Sequence, residues 1–131
     1  MKEIYLKGEF GTEMISDFKP HKTGFNKVLG GLETEIMNIV WAKEKATARD
    51  VYETMRLEKR IAYTTVLTVL NRLAKKGLLK KNIDKTAFIF SPVMSQTDFA
   101  KQIVNEVLDG LVTGFSQPVL NYVAQWLNEK E

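Results

Sequence analysis

The chain has 131 residues, 44% of them hydrophobic, with no cysteine, one histidine and a net charge of +3. That length suits one domain with a small appendage, and the missing cysteines exclude disulfides, thiolate metal sites and a cysteine nucleophile. No apolar run approaches the ~18 residues of a membrane span, and the charged start MKEIYLKGEF has no secretion-type apolar core, so a cytoplasmic protein without membrane insertion is expected.

Residues 1–28 read as an N-terminal extension, punctuated by Gly8, Gly11, Pro20 and Gly24. Its aromatics Tyr5, Phe10, Phe18 and Phe25 are suited to docking it onto something. His21, alone among Lys, Pro and Thr, reads as solvated, because a metal site needs several ligands together; no metal and no cofactor is expected. A first helix is predicted over 32–42, where Leu32, Ile36, Ile39 and Val40 recur at helical spacing. Thr47 caps a second helix over 48–57, with Asp50 closing an imperfect capping box.

The third helix, 61–77, has two unlike sides. On a wheel of 100° per residue, Ile61, Thr64, Thr65, Thr68, Asn71, Arg72, Lys75 and Lys76 fall within about 80° of Thr68. Tyr63, Val66, Leu67, Val69, Leu70, Leu73, Ala74 and Gly77 form the opposite, mainly apolar side. Hydroxyls at the front can reach base edges or phosphates, and cations behind them can reach phosphates. Alone, this wheel also fits an ordinary amphipathic helix with a solvated face.

Its neighbours shift the reading. Gly77 suits a left-handed cap. Strands over 78–81 and 87–90, joined by the turn-forming Asn82–Thr86, predict a hairpin, with a short extra strand near Thr47 pairing with it. Helix, helix, helix, strand, turn, strand is the winged-helix order, with the third helix as recognition helix. From Arg60 to Lys85 there are seven cations against one acid, Asp84, whereas residues 1–59 balance and 95–131 carry an excess of three acids. A basic block on the recognition helix and wing points to double-stranded DNA.

Ser95 and Asp98 then cap a fourth helix over 96–115, and Pro118 opens a fifth. Both are apolar over more than one face. They either pack on the winged helix or form a homodimer interface; the dimer is preferred, since it matches a two-fold operator. The expected fold is therefore mainly α with a small β-wing: a winged helix-turn-helix DNA-binding domain over 29–93 and a helical dimerisation region over 94–131.

Residues 29–127 resemble the penicillinase-repressor family, to which copper-responsive repressors are related. LGGLETEIMNIVW at 29–41, AYTTVLTVLNRLAKKGLL at 62–79 and the F-x-F-S-P-V run at 88–93 carry the resemblance. It implies a winged-helix repressor that binds its operator as a homodimer through intertwined C-terminal helices. Thr64, Thr65, Thr68 and Arg72 match recognition positions, Tyr63 matches the Tyr ahead of them, and Lys75, Lys76, Lys81 and Lys85 fall where helix end and wing meet backbone; Asn71 shares their face. Phe99, Ile103, Val107, Leu108, Leu111, Phe115, Leu120 and Val123 are the expected dimerisation residues. The resemblance also implies a regulatory protease cutting an Asn-Phe pair; the matching position here is Asp98-Phe99, with Asp in place of Asn. Sensing by a cysteine pair, as in the copper repressors, is excluded.

No enzyme is expected, since no nucleophile–base–acid arrangement is legible. The alternatives are a winged helix whose basic face binds an acidic protein, and a repressor that senses a small ligand.

Overall fold

The structure, a computed structural model, describes residues 24–27 and 29–130. Most of the N-terminal extension, with Tyr5, Phe10, Phe18 and His21, lies outside the described residues. A 3₁₀ turn (Gly24–Lys27) leads to α1 (Gly31–Lys43), α2 (Ala48–Met55), α3 (Tyr63–Lys75), the hairpin β1 (Leu79–Asp84) and β2 (Ala87–Pro92), then α4 (Gln96–Val112) and α5 (Gln117–Glu129). This is the winged-helix order followed by two tail helices.

Local chemistry sets the boundaries. The Gly30 N–H donates to the Glu33 carboxylate at 3.2 Å, closing the start of α1. Thr47 and Asp50 exchange hydrogen bonds at 3.0 Å each, so α2 opens on a complete capping box. At the end of α3, Gly77 takes φ +87°. The Gly77 N–H donates to the Ala74 carbonyl and the Leu78 N–H to the Leu73 carbonyl, both at 3.0 Å. This left-handed exit turns the chain directly into β1.

α3 begins at Tyr63 rather than at Ile61, so Ile61 lies outside the helical wheel and packs against the core. The core draws Ile36, Met37 and Val40 from α1, Val51 and Met55 from α2, and Val66, Val69, Leu70 and Leu73 from α3. Leu78, Leu79 and Phe90 close it from the wing side. Each such side chain contributes roughly 1.5–3 kcal/mol by leaving water.

The hairpin is longer and tighter than expected. β1 and β2 pair antiparallel from Leu79↔Pro92 to Asp84↔Ala87, leaving a two-residue turn, Lys85-Thr86, with Lys85 at φ +60°. The expected extra strand is a single bridge. Ala46 and Phe90 exchange backbone hydrogen bonds at 2.9 and 2.8 Å, tying the α1–α2 link to the wing.

α4 is capped by Ser95, whose hydroxyl accepts the Asp98 N–H at 3.0 Å, and stops at Val112, three residues short of the expected end. Gly114, at φ +86°, lies in the break before α5, which has Pro118 in its first turn.

Candidate nucleic-acid interface

α3 buries Val66, Val69, Leu70 and Leu73 and leaves Thr64, Thr65, Thr68, Arg72 and Lys75 exposed. Its N-cap is Ala62, which makes no side-chain cap, and its first turn holds no acid. The positive end of this helix is therefore uncompensated, which favours an anion there. Three hydroxyls on the same face add donors and acceptors suited to phosphate oxygens or base edges.

Tyr63 stands at the head of α3. Its ring meets Tyr52 of α2 edge-on, at 5.8 Å between centroids and 82° between planes. The Arg49 guanidinium lies 5.5 Å from the Tyr63 ring centre. Arg49 also lies 3.5 Å from Glu53. A 2.7 Å hydrogen bond from Arg56 holds the Glu53 carboxyl below its ordinary pKa, against the raising effect of burial. Nothing in the spacing of Arg49 links it to Tyr63, 14 residues on; the packing of α2 on α3 brings them together.

The wing is fastened to α3. Lys81 donates to Asn71 Oδ1 at 2.8 Å, and its ammonium lies 4.3 Å from the Phe88 ring centre. Asn71 and Lys81, both expected to meet DNA, are thus engaged with each other. At the far end of the hairpin, the register partners Ile83 and Phe88 are both exposed. Lys85 sits at the turn itself, exposed.

Lys75 and Lys76 divide sharply. Lys75 is exposed. Lys76 is held by Glu33, with Nζ 3.0 and 3.2 Å from the two carboxylate oxygens. Glu33 is only 7% exposed, so this pair joins the end of α3 to the start of α1 inside the fold. Lys76, expected where the helix end meets backbone phosphate, is thus engaged with Glu33.

The tail residues also separate. Phe99, expected at a dimer interface and at a cleavage position, is 0% exposed and belongs to the core of its own chain. Ile103 packs partly against that core. Both face their own chain because α4 starts against α1. Val107, Leu108, Leu120 and Val123 are half-buried, Phe115 is exposed, and the Leu111 side chain lies outside the described ones. Val104, Val119, Tyr122, Trp126 and Leu127, which the expected set omitted, are exposed large apolar residues. No helix among the described residues is long and apolar enough to cross a membrane.

A sequence profile described as penicillinase repressor matches residues 29–131. The chain belongs to the penicillinase repressor family. Within the curated relatives, the methicillin resistance regulatory protein MecI of Staphylococcus aureus (strain N315) is 31% identical over 99 residues, covering 72% of this chain and 78% of that one. The transcriptional regulator BlaI of Mycobacterium tuberculosis (strain H37Rv) is 37% identical over 81 residues, covering 61% and 59%. A penicillinase repressor of Staphylococcus aureus is 27% identical over 101 residues, covering 76% and 80%. The penicillinase repressor match includes every interface residue described above, and Phe25 precedes it.

Proposed function

We propose that this chain is a transcriptional repressor that binds a palindromic double-stranded operator as a homodimer. The observation that carries the reading is the exposed face of Thr64, Thr65, Thr68 and Arg72 on α3, with the wing tied alongside through Lys81 and Asn71, in a member of the penicillinase repressor family. The threonines read bases, Arg72 and Lys75 follow along the groove, and Lys85 meets flanking phosphate. Tyr63, held by Tyr52 and Arg49, stands at the helix end nearest the bases. The relatives' names, a resistance regulator, a transcriptional regulator and a penicillinase repressor, agree with this role.

The dimer is supported by the tail. Tyr122, 65% exposed, and Trp126, 47% exposed, lie on a helix that contributes nothing to the buried core among the described residues. A second copy would remove such a surface from water. A protease acting at Asp98-Phe99 would first have to draw Phe99 out of its core position, so release by cleavage there requires the start of α4 to open.

Selection from random oligonucleotides tests the reading. A palindromic consensus is expected, with log K falling by ~0.9 per phosphate neutralised as log salt rises. Enrichment of no sequence would overturn it, as would capture of an acidic protein with DNA ignored.

A further inference from the structure

Three aromatic rings meet where the helical tail leaves the winged-helix body. Phe25 comes from the 3₁₀ turn, Trp41 from α1 and Phe99 from α4. Phe25 stacks on Phe99 at 5.2 Å between centroids with 20° between planes, and leans on Trp41 at 5.2 Å and 39°. Trp41 and Phe99 are 5.8 Å apart. The Trp41 indole N–H donates to the Met94 carbonyl at 3.0 Å, pinning the link from β2 into α4. Gln96 donates to Asn38 of α1 at 3.2 Å.

These bonds hold α4 at one end only. Phe99 and Gln102 are buried and Ile103 packs on the core, but beyond Ile103 no described residue of α4 or α5 joins the buried core. A helix held at its start is a lever. From Phe99 to Val112 it rises about 20 Å, at ~1.5 Å per residue. A small rotation at the ring cluster becomes a large displacement at the far end. Phe25 supplies one wall of that cluster, and offset-stacked rings resist tilting.

We infer that Phe25 is a positioning residue: it sets the angle at which α4 leaves the body, and with it the separation of half-sites that a dimer of this chain accepts. The second clause rests on the dimeric DNA-binding reading above. Phe25 stands ahead of residues 29–131, the segment that matches the family, so the device is carried by this chain's own extension.

The test exploits the absence of cysteine. Thr86→Cys on the wing turn and Gln125→Cys on α5, both at exposed positions, provide two spin-label sites. The doubly labelled full chain is diluted into excess unlabelled chain, and electron–electron double resonance reads the distance within one chain. One narrow distance is expected with Phe25 present, a broad or displaced distribution in Phe25→Ala, and the parental narrow distance again in Phe25→Tyr. An unchanged narrow distance in Phe25→Ala would overturn the inference. So would loss of its cooperative thermal transition, because the ring would then hold the core itself. Operators with graded half-site separation complete the test: Phe25→Ala should lose the parental preference for one separation while keeping its affinity for a single half-site. A retained preference would overturn the specificity role. The distance measurement needs no DNA, so a parental chain that binds no operator would count against the functional reading and leave the lever to be judged by the labels.

Discussion

Removing the ammonium of Lys76 leaves the Glu33 carboxylate buried with, among the described residues, the Gly30 N–H as its remaining hydrogen-bond donor. Lys76→Ala should therefore lower stability by roughly 1–3 kcal/mol, read as a shift of the urea midpoint, and leave the salt slope of DNA binding in place. Lys75→Ala should do the reverse, reducing that slope by about 1 with the midpoint unmoved. If both variants behaved alike, the division between strut and phosphate contact would be wrong. Arg72→Ala should weaken operator binding by ~1–3 kcal/mol and relax preference at one base position; an unchanged affinity would remove it from the interface. The helical wheel found the exposed residues of α3 because they follow from backbone geometry and the apolar pattern alone. It could not separate Lys75 from Lys76, since the partner that distinguishes them lies 43 residues away. Arg49 was hidden for the same reason: its neighbour Tyr63 comes from another helix.

At the scale of elements, the wing carries a conflict between its backbone and its charge. Lys85 occupies the left-handed region at φ +60°, which costs a residue with a Cβ on the order of 1–2 kcal/mol. Lys85→Gly should raise the melting temperature and yet weaken DNA binding, with a salt slope smaller by about 1. A variant that bound as well as the parent would show that the turn does not touch phosphate. The composition Asn82–Thr86 suggested a long loop, but Asn82, Ile83 and Asp84 extend β1. Pairing with Ala87, Phe88 and Ile89 across the hairpin outweighs their local turn preference. The caps were easier to read. Thr47 with Asp50, Ser95 and Gly77 act within a few residues of themselves, so local sequence contains what decides them.

In the whole molecule, the apolar residues of α4 and α5 divide between the chain's own core and an exposed surface. Their hydrophobic pattern shows that each must be covered, but a residue that closes its own core and one that meets a partner follow the same physical rule. Phe99, expected at the interface, is buried in the core of its own chain, and Tyr122 and Leu127 stay exposed. Tyr122→Asp should convert the dimer to a monomer in sedimentation velocity, with the winged-helix thermal transition retained and operator affinity falling as the second half-site is lost. A variant that still sedimented as a dimer would move the interface elsewhere.

The two tryptophans happen to stand at opposite ends of this arrangement. Trp41 sits at the joint with its N–H bonded to the Met94 carbonyl, and Trp126 lies on the open face of α5 with the Lys130 ammonium 5.1 Å from its ring. The chain thus carries two built-in optical reporters in different surroundings. With Trp41→Phe, the remaining emission comes from Trp126 and should shift to the blue as concentration rises through the association range. With Trp126→Phe, the remaining emission should stay fixed over the same series and respond instead when the joint opens.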